Sequence, residues 1–406
     1  MNLLTISFKN IIKKPLSAGL NLVLFSLGIG LVTLLLLVST QIQEKFDKNL
    51  AGIDLVIGAK GSPLQLILSG MYHVDAPTGN IPVGEVKPFF NPNHPLIGQA
   101  IPLSLGDSYK GFRIVGTKPD FLELYEGEIE EGNLWEKNLE VVLGYAVAKT
   151  LNLKIGDEFQ SNHGLQDNDD LMHEDVHPFV VKGILKPTGS VADQLIITDF
   201  RSVWEVHDHE HEDLSSSELT DYPEKSITSI LLKFKARNYQ ALNLQRNINE
   251  NTNLQAAGPA MEINRLYANM GVGIDVLRYL AIAIILVSGL SVFISLFSSL
   301  NERKYELALM RVMGASPLKI FLLILIEGLI ISFSGWILGT IFAHTGTEWI
   351  ASLMESSYKY SISGGRFLPE QWWILGVSIL TGLGAAFIPA WIAGKTDIHA
   401  TLSENK

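Results

Sequence analysis

The stretch "NERKYELALMRVMGAS", residues 301–316, places Glu302, Arg303, Lys304, Glu306 and Arg311 between two long apolar runs. So many charges cannot face hydrocarbon, so the stretch divides the flanking apolar sequence into separate membrane spans joined by a polar helix. Helical spacing sets Tyr305, Leu309 and Val312 or Met313 on one side and Arg303, Glu306 and Met310 on another, an amphipathic pattern. Gly314, Ala315 and Ser316 before Pro317 read as a stop and turn ahead of the next span.

Working outward, apolar stretches at 18–40, 274–298, 320–343 and 372–392 are each long enough to cross about 30 Å of hydrocarbon. The composition of the 406-residue chain, 47% hydrophobic and only 18% charged, agrees with segments that face lipid. The first stretch follows a basic opening, "FKNIIKKPL", as a secretory signal would. Its apolar part is too long for one and no small-x-small cleavage site follows, so it reads as an uncleaved span.

Basic residues beside the spans predict orientation. Lys9, Lys13 and Lys14 precede the first span, Arg303, Lys304, Arg311 and Lys319 lie between the second and third, and Lys395 follows the fourth. These places, and both termini, are expected in the cytoplasm, and residues 44–270 are expected outside. The exported segment is acidic in balance within a chain of net charge −11, which disfavours nucleic acid and anionic headgroups as partners. The absence of cysteine excludes disulfides and thiolate chemistry.

Within the exported segment, "YKGFRIVGTK", "LEVVLG", "HPFVVKGIL" and "DQLIITD" are β-branched runs bounded by Gly, Pro or Asp and read as strands. "YAVAKTLNL" and "ARNYQALNLQRNINEN" read as helices. The expected fold is an α-helical membrane protein with four transmembrane helices plus a large extracytoplasmic α+β domain. In that domain the flanks 44–97 and 215–270 pair, and a β-rich module at about 98–214 is inserted between them.

One span, a large exported domain, then three spans with the charged stretch between the first two of these: this order resembles the MacB/FtsX/LolC-type permeases of ATP-binding-cassette (ABC) systems. Against the family pattern "xERxxEIGxxRAxGAS" the chain keeps Glu302, Arg303, Glu306, Arg311, Gly314, Ala315 and Ser316, and has Leu307-Ala308 and Val312-Met313 where the family has Ile-Gly and Ala-x. "IPAWIAGKTDIHATL" resembles the family ending, with Ile398 in place of its Pro, and "EGNLWEKNLEVVLGYAVAKTLNLKIGDEF" is similar to the β-rich module of the MacB exported domain.

The resemblance implies a cytoplasmic entry helix and first span in residues 1–43, a MacB-like periplasmic core in 44–270 and an FtsX-like domain in 271–406. Residues 301–316 would then be a coupling helix docking on a separate ABC ATPase, with Glu302, Arg303, Glu306, Arg311 and Gly314 as its contact residues. The implied setting is the bacterial cytoplasmic membrane, with a second permease copy or paralogue and an extracytoplasmic or outer-membrane partner. No ATP site belongs to this chain: a phosphate loop ending in "GKT" at 394–396 needs a glycine where Pro389 stands. ATP enters through the partner, and no catalytic constellation appears.

Glu327, inside the third span, is an ionisable group in a membrane segment and reads first as a helix-packing residue, with proton or cation passage as the alternative; the resemblance implies pairing with backbone or with another span. Gly335 and Gly339 form a small-xxx-small pattern suited to close helix contact. Histidines crowd the exported segment: "HEDVH" holds His173 and His177, and "VHDHEHED" holds His207, His209 and His211. Imidazole and carboxylate donors without thiol suit Zn²⁺, Ni²⁺ or Cu²⁺, and a solvated acidic loop is the alternative reading. His73, beside Tyr72, reads as a packing or hydrogen-bonding residue rather than a ligand.

Three functions fit these observations. One is a permease subunit coupling a partner's ATP hydrolysis to export or extraction of a lipoprotein, amphiphile or metal-linked cargo. The second is an FtsX-like activator of an enzyme outside the membrane, and the third is a metal-sensing membrane receptor with no ATPase.

Overall fold

The computed structural model describes residues 3–163, 178–207, 214–236, 239–358 and 362–395. They form two units: residues 1–42 with 269–406, and Gln43–Ala268.

The first unit is helical. An entry helix, Leu3–Ile12, precedes four helices long and apolar enough to cross a membrane: Pro15–Leu50, Pro259–Glu302, Pro317–Tyr358 and Gln371–Gly394. A nine-residue helix, Lys304–Val312, lies between the second and third. Val292, Leu296 and Leu300 of the second span, Ile320, Leu323 and Ile324 of the third, and Ala386, Ala390 and Ala393 of the fourth share one buried apolar cluster, against which Leu3, Ile6 and Ile11 of the entry helix pack. Small residues bring backbones together. A Cβ on Gly339 would stand 2.8 Å from the Ser26 carbonyl oxygen and 3.0 Å from the Gly30 nitrogen, so the first and third spans touch main chain to main chain.

The second unit is built on one mixed sheet. Its strands in chain order are β1 (Leu55–Ala59), β2 (Ile81–Pro82), β3 (Ile97–Tyr109), β4 (Phe112–Thr117), β5 (Ile129–Gly132), β6 (Glu140–Leu143), β7 (Glu158–Phe159), β8 (Asn162–His163), β9 (Phe179–Leu185), β10 (Leu195–Asp199), β11 (Ser226–Ile227), β12 (Ser229–Phe234) and β13 (Leu254–Ala257). The main order is β13-β1-β12-β3-β4-β10-β6-β9-β5, with β7 on β9 and β8 on β3, while β2 and β11 form a separate pair. Both flanks of the exported segment meet in β1, β12 and β13. The long strand β3 pairs with β12 through its first half and with β4 through its second, so flanks and module share the sheet.

Alternation assigns the two faces of this sheet. Leu55 and Ile57 of β1 with Ile230 and Leu232 of β12 join Phe200 and Trp204 on one side. Val56 and Leu231 join Leu66, Ile67, Met71 and Tyr72 on the other. Strands β4 and β10 are buried along their whole length and so covered on both faces, with Arg113, Thr117, Thr198 and Asp199 buried beside their apolar residues. The final turns of the first span and the opening turns of the second belong to this unit. Phe46 and Leu50 from one, and Ile263, Leu266 and Tyr267 from the other, pack into the cluster around Tyr72. The Phe46 ring meets Tyr72 edge-on at 4.8 Å and Tyr267 at 5.7 Å, and Asn49 Oδ1 accepts the Val191 amide at 2.7 Å.

Candidate functional site

The charged stretch folds as its punctuation dictates. The second span ends at Glu302, and Arg303, at φ −106° and ψ 12°, opens the helix Lys304–Val312. That helix stops at Gly314, whose φ of 97° is readily adopted only by glycine, while the Ala315 amide closes back on the Met310 carbonyl at 3.0 Å. Ser316 then precedes Pro317 at the start of the third span, and its hydroxyl accepts the Lys319 amide at 3.4 Å.

The five charges of the stretch part company. Arg303 turns inward: Nη1 and Nη2 donate to Oε1 and Oε2 of Glu327 at 3.2 and 3.0 Å, and Nε donates to the Ser299 carbonyl at 3.3 Å. Both side chains are withdrawn from solvent, 13% exposed for Arg303 and 3% for Glu327. Asn10 of the entry helix adds a third donor, with Nδ2 at 2.8 Å from Glu327 Oε1, and the Ser7 hydroxyl donates to the Leu323 carbonyl at 3.0 Å. A bidentate charge-assisted pair with a further donor is a strong, directional tie in a region of low dielectric. It joins the entry helix, the junction before the short helix and the third span. Glu302 pairs with Lys14 at 2.5 Å, a second tie to the start of the chain. Lys304 and Glu306 are exposed, and Arg311 is half-buried.

The short helix itself buries Leu307 and Ala308, whereas Tyr305, Leu309, Val312 and Met313 are exposed at 48, 44, 59 and 71%. One face thus docks on the spans and the other presents a compact apolar surface bordered by charge. Sequence reasoning identified Arg303 and Glu327 separately. Their pairing, and the part of Asn10, joins residues distant in the chain that no local period connects.

In the second unit His207 ends the helix Phe200–His207, and its Nε2 lies 3.2 Å from Asp107 Oδ1. His173, His177, His209 and His211 lie outside the described residues. Among the described residues no group of three or more His, Asp or Glu is placed to hold a metal. His73 is buried with φ 55°, and neither ring nitrogen meets a partner among the described residues. Burial, and then the nearby Arg113 charge, lower its pKa to about 3. Arg113 is held by its own bond to the Asp75 carbonyl at 3.0 Å.

Comparison with family models agrees with this architecture. A family model described as FtsX-like permease C-terminal matches residues 279–399, and one described as MacB-like periplasmic core domain matches residues 18–241. Among solved structures, the periplasmic region of MacB from Actinobacillus actinomycetemcomitans aligns with 14% identity and a TM-score of 0.34, covering 55% of this chain and 98% of that one. No curated protein matches. The periplasmic-core match alone takes in more than half of the chain, and the permease match takes in the second span from residue 279, the third and fourth spans and the charged stretch between them, so the chain belongs to the MacB/FtsX/LolC-type family of ABC permeases.

Proposed function

We propose that this permease converts ATP binding and hydrolysis by a separate cytoplasmic ATPase into movement of its exported domain, and that the movement drives export or extraction of an extracytoplasmic cargo such as a lipoprotein, amphiphile or metal-linked molecule. The observation that carries the reading is the short helix Lys304–Val312. Its Leu307–Ala308 face is buried, its Tyr305, Leu309, Val312 and Met313 face is open, and Arg303 at its entrance is tied to the third span through Glu327. A helix pushed on its open face can pass the displacement to the spans only if it is fixed to them, and the bidentate pair supplies that fixation. Glu306 and Arg311 border the apolar face and suit ion pairs with the ATPase. Basic residues beside the spans support placing this helix and both termini in the cytoplasm.

The test is capture of the cognate ATPase in mild detergent by the wild-type permease and by Leu309→Asp and Val312→Asp variants. Both positions are exposed, so folding should change by less than about 0.5 kcal/mol. The expected result is ATPase recovered with the wild type and lost with both variants at unchanged melting temperature. Equal recovery with all three would remove this face from the interface.

A further inference from the structure

The entry helix Leu3–Ile12 has a face that its contacts with Glu327 and the spans leave open. At about 3.6 residues per turn its ten residues divide into three sectors. Leu3, Ile6 and Ile11 pack against the buried cluster of the spans, and from the same side Ser7 and Asn10 donate to the Leu323 carbonyl and to Glu327. Next around the helix come Leu4, Phe8 and Ile12, each one turn from the last and exposed at 59, 56 and 59%. Lys9, and Lys13 in the turn that follows the helix, are exposed on the remaining side.

Position in the chain and charge together identify what covers the open apolar row. Only Lys13 and Lys14 separate Ile12 from Pro15, where the first membrane-spanning helix begins, with Leu16 and Leu20 exposed at 88 and 59%. The entry helix is therefore held where a span enters the bilayer, at the boundary between acyl chains and headgroups. Residues 1–43 hold Lys9, Lys13 and Lys14 and no Asp or Glu. Lys14 pairs with Glu302, whereas Lys9 and Lys13 meet no carboxylate among the described residues. Long lysine side chains beside an apolar row reach headgroup phosphates while the row itself enters the acyl region. A second copy docked by this same face would instead set lysines against lysines.

We propose that the entry helix is a lipid-binding element: Leu4, Phe8 and Ile12 insert among acyl chains, and Lys9 and Lys13 hold the headgroups of anionic phospholipid. Ser7 and Asn10 fasten the opposite face to the third span, so bound lipid also holds the helix against Glu327. The charge of the surrounding membrane thereby steadies the junction that leads into the helix Lys304–Val312. Lipid binding does not depend on the ATPase reading; assigning it to the cytoplasmic leaflet rests on the orientation proposed above.

The test uses the full-length protein in two measurements, neither of which requires the ATPase. The chain has no cysteine, so Leu4→Cys or Phe8→Cys carries a single spin label, read in phosphatidylglycerol nanodiscs that offer the same lipid on both faces. Both labels are expected to collide more with oxygen, which concentrates among acyl chains, than with a neutral water-soluble nickel chelate. Greater collision with the chelate at both positions overturns the proposal, and so does shielding from both agents, which would put protein on the row. In detergent, the wild type and the Lys9→Gln/Lys13→Gln double variant are titrated with phosphatidylglycerol and with phosphatidylcholine, and bound lipid is counted by native mass spectrometry. Both lysines are exposed, so the melting temperature should not change. The tightest phosphatidylglycerol site is expected to weaken about thirtyfold, or about fivefold for each lysine, with phosphatidylcholine binding unchanged. Lys9→Arg/Lys13→Arg, which keeps both charges, should bind as the wild type does. Equal binding of the two lipids by the wild type overturns the proposal, as does a preference for phosphatidylglycerol that the glutamine variant keeps or the arginine variant loses.

Discussion

Removing the Glu327 carboxylate would leave the Arg303 guanidinium buried beside Asn10 and the Ser299 carbonyl with its charge uncompensated. Breaking a buried pair from one side costs about 3–5 kcal/mol, whereas replacing both members with apolar side chains is often close to neutral. Glu327→Ala and Arg303→Ala should each lower the melting temperature in detergent sharply, and Arg303→Met with Glu327→Leu should recover most of the loss. A double variant as damaged as the two singles added together would mean the side chains are energetically independent. His73 makes a prediction of a different kind. Its folded pKa of about 3 lies below the ordinary value of 6.5, so between those limits the unfolded chain binds the extra proton. Its contribution to stability is therefore fully present above pH 6.5 and is lost as pH falls. The maximum slope is about 1.4 kcal/mol per pH unit. His73→Asn tolerates the φ of 55° and has no titrating ring. Its denaturant midpoint should fall less between pH 6.5 and 5 than that of the wild type, a window above most carboxylate titration. Parallel curves would show that His73 is protonated in the folded protein.

At the scale of elements, close packing of the spans rests on glycine. Gly339→Leu would drive its Cβ onto the Ser26 carbonyl and the Gly30 amide, and overpacking of this kind costs about 1–3 kcal/mol. Gly376→Leu in the fourth span is the control, because a Cβ there meets nothing within 4 Å. Melting in detergent should drop for the first and hold for the second; equal shifts would mean that helix propensity rather than contact decides. The same glycines mark how far the sequence could be read. Four apolar runs, a charged stretch ended by Gly314 and Pro317, and β-branched strands each carry a local signal, since hydrophobic period and turn chemistry are properties of neighbours in the chain. The spacing of Gly335 and Gly339 was visible too, but their partners Phe25, Ser26 and Gly30 were not. Arg303 with Glu327, and Asp107 with His207, are likewise pairs made by tertiary packing, and helical or strand period says nothing about which distant residue fills the facing position. The bulge that displaces Asp107 depends on how β3 pairs with β4 and so escapes any single window.

At the scale of the whole molecule, the second span is one helix of 44 residues, Pro259–Glu302, or about 66 Å at 1.5 Å per residue. Its last residue is followed directly by Arg303 and the short helix Lys304–Val312, and its first turns place Ile263, Leu266 and Tyr267 in the core of the second unit. A helix is stiff along its axis only while its hydrogen-bond ladder is continuous, so the ladder itself is the proposed transmission. Val272, 67% exposed between Gly271 and Gly273, is where that ladder can be cut with little loss of packing, since a Cβ on either glycine would meet nothing within 4 Å. Proline there removes an amide donor and clashes with the preceding turn, at a local cost of about 3 kcal/mol, whereas Val272→Ala keeps the helix intact. In a reconstituted complex with the ATPase, Val272→Pro should leave basal ATP hydrolysis within about twofold of wild type and reduce cargo release at least about tenfold, the size of a typical lost coupling energy. Val272→Ala should preserve both. Cargo release that survives the proline would mean that the stroke does not travel along this helix, and the first span, Pro15–Leu50, whose Phe46 and Leu50 enter the same core, would be the next to cut.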